Sequence, residues 1–445
     1  MGKQESNSKS ISWWQLTLLG LGFTSGTGFF LGSSIAIERS GFSVLILFLL
    51  AGTITYFVFD ALALMIVQHA EKGSFRAYSK NAYGRWAGFS HGWMYWTSEM
   101  LILGSQLTAL GLFTKYWFVD TPLWIFASGY AILGVIIVML GTKGFEKTEN
   151  VLAVVKIAAI VMFIILACLV IPGVLGKENA HMHDPDRMKD FFTHGIMGMW
   201  TALLYVFFAF AGIEVMGLMA TDLKKPKDAP KSGKVMIIII TTLFVLSMGL
   251  AMLLAPLGAF NPDESPFITA LKDLKFTVIV HIFNGILIVA GFSSLVASLY
   301  SVTRIMCTIA QDGDAPSILS KKNKRNLPWT SLILTIIGMM LSIIIALLLP
   351  DKVYEYITTA GGLMLLYTWL FIVLAARKLL ELSFWGQVKS FSAITVILIA
   401  ACGTLFDKTN RPGFFASLII IAIIAGVTLI MRKVWKKGQQ KASQE

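Results

Sequence analysis

The chain has 445 residues, 56% of them hydrophobic and only 14% charged, with a formal net charge of +12. Long apolar runs recur over the whole length, which marks a polytopic membrane protein and excludes a soluble globular one. The positive balance does not imply a nucleic-acid partner, because Lys and Arg in excess belong to the cytoplasmic loops of membrane proteins.

Twelve spans are predicted, at about 13–37, 42–66, 87–114, 123–141, 151–172, 195–220, 234–258, 277–303, 329–349, 356–376, 390–405 and 413–431. The first ten residues are polar and the first apolar run is too long for a signal-peptide core, so no cleavable leader is expected. With the amino terminus inside, 26 of the 37 Lys and Arg residues fall on cytoplasmic segments and 10 on the outside, while Lys156 lies within a span. That bias places both termini in the cytoplasm. The basic cluster from Arg432 to Lys441 reads as a topology anchor against lipid.

In the first span, Gly22-Phe23-Thr24-Ser25-Gly26-Thr27-Gly28-Phe29-Phe30 is a poor helix interior. Each glycine costs about 1 kcal/mol relative to alanine. Two readings are open. Gly22/Gly26 and Gly28/Gly32 are GxxxG pairs that let helices approach closely. Alternatively, the stretch is an unwound break whose freed amides hold a small anion. The second reading gains from the sixth span, where Phe207-Phe208-Ala209-Phe210-Ala211-Gly212-Ile213-Glu214 again puts small residues at mid-membrane. Five spans separate the two, so they cross in opposite directions, and matched interruptions in two halves point to a transporter site.

Ionisable residues inside spans are functional hypotheses by default. Asp60, in the second span, is expected to pair with a neighbouring helix. Glu99, in the third, faces a cavity or caps a polar contact. Lys156, about five residues into the fifth, is either a desolvated lysine that can release its proton near neutrality or an interfacial lysine that snorkels. Glu214 either accepts freed backbone N–H groups or carries protons. Arg304, at the end of the eighth span, can snorkel. Cys168, Cys307 and Cys402 all lie in apolar segments and read as buried hydrophobes. His181 and His183, in the loop at about 173–194, read as loop residues and not as a metal site. No cofactor or metal is expected.

These residues give the chain a family resemblance. Gly26-Thr27-Gly28-Phe29-Phe30-Leu31-Gly32, Phe208-Ala209-Phe210-Ala211-Gly212-Ile213-Glu214, Asp222-Leu-Lys-Lys-Pro226, Tyr300-Ser301-Val302-Thr303-Arg304, Gln311-Asp312-Gly313-Asp314 and Asn326-Leu327-Pro328 stand in the order seen in amino acid permeases. The chain resembles the amino acid–polyamine–organocation superfamily over essentially all its spans. The resemblance implies an all-α membrane fold of twelve helices. Two inverted repeats (13–172 and 195–376) contain broken helices 1 and 6, and two further helices follow at 390–431. It also implies import of an amino acid across the cytoplasmic membrane, usually with protons, by alternating access. The implied carboxylate site is Ser25, Gly26, Thr27 and Gly28, and the amino-group site is Phe208, Ala209 and Phe210, with Phe208 and Phe210 as gates. Lys156 matches a helix 5 lysine that stands in for a sodium ion; with Glu214 and Glu99 it forms the proton-coupling set.

Two departures stand out. The family's helix 3 commonly carries Glu before Leu-Thr-Ala, whereas Gln106 precedes Leu107-Thr108-Ala109 here; Glu99, two turns earlier, is the compensating carboxylate. Asp222 replaces the usual Glu before Lys-Pro. An exchanger on the same fold, and a sensor that moves little substrate, are the rival readings. No nucleophile–base pair, HExxH or P-loop supports an enzyme. No acidic ring for a basic substrate stands out in the sequence, with Glu99 the one candidate, so an uncharged or hydrophobic amino acid is expected.

Overall fold

The computed structural model describes residues 11–71, 73–140, 142–173, 188–272, 277–323, 327–348 and 353–442. Within them the chain is helical, and no strand is present; Ile11 and Leu223 form one isolated parallel bridge. The His181–His183 pair lies outside the described residues, as does Asn326.

Each predicted span coincides with helix. The first is split into α1 (Trp13–Thr24), the single turn α2 (Thr27–Phe30) and α3 (Gly32–Ser40). Then come α4 (Val44–Gln68), the short surface helix α5 (Phe75–Tyr83), α6 (Arg85–Lys115), α7 (Leu123–Met139) and α8 (Thr142–Val170). After the short α9 (Met188–Phe191), the sixth span is again split, into α10 (Gly195–Phe208) and α11 (Ile213–Met219). α12 (Ala229–Leu254), the short α13 (Pro266–Lys272), α14 (Thr277–Gln311), α15 (Trp329–Leu348) and α16 (Val353–Leu379) complete the second set of five spans. Two more follow, α17 (Phe384–Gly403) and α18 (Arg411–Ala442). α12 and α17 begin at Ala229 and Phe384, ahead of the predicted starts at about 234 and 390, and take in Lys231 and Lys389.

The helices differ in how apolar they must be. Among the described residues eight helical segments can cross a membrane by length and composition, with Gly32–Gln68 counted as one, and Leu123–Met139 and Trp329–Ile344 are shorter apolar helices. α6 meets neither description although it is 31 residues long. It packs against α14, α16 and α5 and buries Ser98, Glu99, Ser105, Gln106 and Thr108, so protein takes the place of lipid around it. The outer face of α18, by contrast, exposes Phe415, Ile419, Ile423 and Ile430, as a lipid-facing helix should.

The charges inside spans find partners. Asp60 on α4 accepts from Lys389 Nζ on α17 at 2.8 Å. Arg304 is exposed at its helix end and contacts its own Tyr300. At the face where α1 begins, Arg76 and Arg85 both hold the buried Asp314 (3.1 and 2.9 Å), and Arg76 also pairs with Asp312. Asp312-Gly313 makes a turn after α14, with Gly313 at φ +71°. At the opposite face Arg39, at the end of α3, pairs with Glu355 of α16 at 2.8 Å and with Asp407 of the α17–α18 connection. Its guanidinium lies over the Tyr205 ring of α10, 4.9 Å from the centroid.

Candidate binding site at the paired helix breaks

The break in the first span follows from its glycines. Ser25 still donates to Leu21 O, but Gly26 N–H turns back to Thr24 O at 2.9 Å, so the carbonyl of Gly22 loses the amide four residues on. Lys156 of α8 takes that place, donating from Nζ to Gly22 O at 2.8 Å. The lysine is fully buried and its charge sits at the carbonyl end of α1, where a helix dipole favours a cation. Beyond the break, Phe29 and Phe30 donate to Gly26 O, and the first amides of α2, on Thr27 and Gly28, have no acceptor within the helix. Phe29 stacks on Phe244 of α12 at 3.6 Å and meets Phe267 of α13 edge-on, which fixes α2 in place. Tyr354 Oη donates to Thr27 O at 3.4 Å from α16.

The second break is held by its own carboxylate. The chain leaves α10 through Ala209, Phe210 and Ala211, which donate to Tyr205, Phe207 and Phe208 carbonyls. Gly212 then turns at φ +110°, a conformation that glycine alone adopts without strain. Glu214 Oε1 accepts Gly212 N–H at 3.0 Å, and its Oε2 accepts Trp369 Nε1–H at 3.2 Å. Glu214 is thus placed as a cap on freed backbone, one of the two roles open to it from sequence.

The breaks interlock. A Cβ on Gly28 would lie 2.7 Å from Phe208 O and 2.8 Å from the Phe208 ring, and one on Gly212 would lie 2.9 Å from Phe23 C and O. Each glycine lets the other helix's backbone approach, so close packing and an open backbone are achieved by the same residues. Gly32, by contrast, has Tyr354 Oη as its nearest neighbour at 3.6 Å, an ordinary contact.

Between the breaks lies a cavity of about 40 Å³. One end is formed by the two breaks: Phe23 and Thr24 at the end of α1, Gly26, Thr27 and Gly28, then Phe208, Ala211 and Gly212. The other end is side chain: Glu99, Ile102 and Gln106 share a face of α6, Ser294, Ala297 and Ser298 share a face of α14, and Val215 belongs to α11. Of the residues singled out from sequence, Gly26, Thr27, Gly28, Phe208 and Glu99 therefore line the cavity. Ser25 is fully buried beside it with an unpartnered Oγ. Ala209 is buried, and the Phe210 ring packs on Phe244 and Phe48, away from the cavity, so its contribution is main chain. Lys156 and Glu214 stand behind the two breaks. Gln106 donates to Ser298 Oγ at 3.2 Å across the cavity. Sequence reading missed the α14 wall; its trace was the i, i+4 pair Ser294 and Ser298 in an apolar helix. Among the described residues no group of three His, Cys, Asp or Glu is placed to hold a metal ion.

The family model for amino acid permeases matches residues 15–443. The chain is 55% identical to the uncharacterized transporter YcgH of Bacillus subtilis over 98% of both chains. It is 28% identical to the L-asparagine permease of Salmonella typhimurium (97% of this chain, 90% of the relative). It is 26% identical to the aromatic amino acid transport protein AroP of Escherichia coli (95% of each). In fold it resembles MhsT, solved in complex with L-phenylalanine, with a TM-score of 0.61 over 88% of this chain and all of that one, at 17% identity. The chain is a multi-pass membrane protein that belongs to the amino acid permease family.

Proposed function

We propose that the protein is a secondary active transporter that imports an amino acid across the cytoplasmic membrane by proton symport, with alternating access to a site between the two breaks. The observation that carries this reading is the interlock of Gly28 on Phe208 and Gly212 on Phe23 around a buried cavity. A zwitterion needs no fixed charge there. The free amides of Thr27 and Gly28, at the start of α2 and flanked by Ser25 and Gly26, suit its carboxylate, and carbonyls of Phe208, Ala209 and Phe210 suit its ammonium. The names of the permease relatives support an amino acid as the cargo.

Lys156, Glu99 and Glu214 form the coupling set. Charged Lys156 holds the Gly22 carbonyl; the neutral amine gives up the charge that the end of α1 favours and loosens that half-helix. Glu99 is the buried carboxylate on the cavity wall, and Glu214 keeps the second break in register. We assign the repeat units to 13–172 and 195–376, with 390–431 added, both termini cytoplasmic, and the basic end of α18 against lipid headgroups.

The test is uptake of a panel of radiolabelled amino acids by reconstituted protein, with and without an imposed pH gradient. Accumulation that requires the gradient supports symport. Counterflow alone, insensitive to the gradient, indicates an exchanger, and binding without transport indicates a sensor.

A further inference from the structure

The side-chain end of the cavity has its own chemistry. Glu99 and Gln106 stand two turns apart on α6, each at least nine-tenths buried, and Glu99 Oε2 and Gln106 Oε1 have no hydrogen-bond partner. Their ends converge on Ser298: its Oγ accepts from Gln106 Nε2 at 3.2 Å, and the Ser298 and Tyr95 hydroxyls sit beside the Glu99 carboxyl. Tyr95 Oη is also buried without a partner. Acceptors thus outnumber the hydroxyl donors around this point. In either orientation of its amide, Gln106 keeps one polar end unpaired. Buried polar groups in this state select a ligand that completes them.

We propose that the site takes an uncharged amino acid with a short side chain ending in a primary carboxamide. This rests on the reading of the cavity as an amino acid site and names its substrate class. A carboxamide brings two N–H donors for Glu99 and Gln106 and a carbonyl for the Ser298 or Tyr95 hydroxyl. An aliphatic side chain of the same shape strands all of them. A guanidinium brings only donors, five of them, and exceeds the acceptors on offer. The apolar contacts of Ile102, Ala297 and Val215 suit the short methylene stem.

The experiment is direct binding of radiolabelled L-asparagine, L-glutamine, L-leucine, L-methionine, L-arginine and L-phenylalanine to the purified full-length protein in detergent. Asparagine and leucine are near-isosteric, as are glutamine and methionine, so each pair isolates the amide. Sites that hydrogen-bond a substrate group reject analogues lacking it strongly; at least about a tenfold preference for asparagine over leucine is expected. Leucine binding as well as asparagine, while amino acids do bind, overturns the substrate class and leaves the amino acid site standing. Failure of all six to bind overturns the site and the proposal together. A second arm uses Gln106→Leu, which should lower the asparagine-to-leucine ratio about tenfold by weakening asparagine and strengthening leucine. An unchanged ratio in a variant that still binds overturns the assignment of Gln106.

Discussion

Gly212 in the second break sits against the main chain of Phe23 in the first, so close that a Cβ would lie 2.9 Å from the Phe23 carbonyl. The reciprocal contact, Gly28 on Phe208, is as tight. Two interrupted helices that each expose backbone in a membrane are costly alone, because freed N–H and C=O groups have no water to turn to. Together they bury one another's irregular segments and leave a cavity between them that residues of α6 and α14 complete.

Gly212→Ala should be among the most damaging small substitutions in the chain. It combines φ +110° with a contact that only backbone movement can relieve, so a loss of about 2–4 kcal/mol is expected. Thermal unfolding in detergent measures it; a melting temperature within a degree of the parent would show that the break relaxes freely.

Lys156→Ala removes the partner of Gly22 O and the cation at the end of α1. Losing a charged hydrogen bond in a buried setting costs about 1.5–3 kcal/mol. The transport signature is more specific: counterflow should persist while a pH gradient ceases to drive accumulation. Retained gradient-driven accumulation would remove Lys156 from the coupling set.

Glu214 and Trp369 allow a test of capping. In Glu214→Gln one side-chain oxygen still accepts Gly212 N–H, but the new NH₂ faces the Trp369 Nε1–H, donor against donor. Trp369→Phe only removes the donor. Glu214→Gln should therefore be less stable than the parent by about 1–3 kcal/mol through the stranded donors. If Glu214→Gln is as stable as the parent, the carboxylate is not needed as a cap and its charge has another use.

Arg39 ties three segments at the face opposite the start of α1. Arg39→Gln leaves Glu355 and Asp407 without their cation, whereas Asp407→Asn leaves the Arg39–Glu355 pair at 2.8 Å intact. The ion pairs are partly solvated, so Arg39→Gln should cost about 1–3 kcal/mol and Asp407→Asn about half of that. Melting temperatures in the reverse order would mean that Asp407, and not Glu355, is the principal partner.

Much of the architecture was readable because it breaks local rules. Glycines in the middle of an apolar run, a second such interruption five spans later and a lysine inside a span are conflicts that only a site or a specific contact resolves. What stayed hidden depends on pairing across the chain. Nothing near Ser298 in sequence indicates Gln106, 192 positions away. Nothing near Arg39 indicates Glu355, and Asp314 gives no sign that two arginines more than 200 residues earlier converge on it. The direction of a side chain at a break is equally invisible: Phe208 and Phe210 look equivalent in sequence, yet one lines the cavity and the other fills the core between α4 and α12.

The most direct measurement is equilibrium binding of a transported amino acid to Gly28→Ala beside Gly32→Ala. Both add one methyl to the same segment, but at Gly28 it meets Phe208 backbone at 2.7 Å and at Gly32 it meets only Tyr354 Oη at 3.6 Å. Binding should fall at least about tenfold in Gly28→Ala and stay near the parent value in Gly32→Ala. Parental affinity in Gly28→Ala would contradict a substrate held between the two breaks.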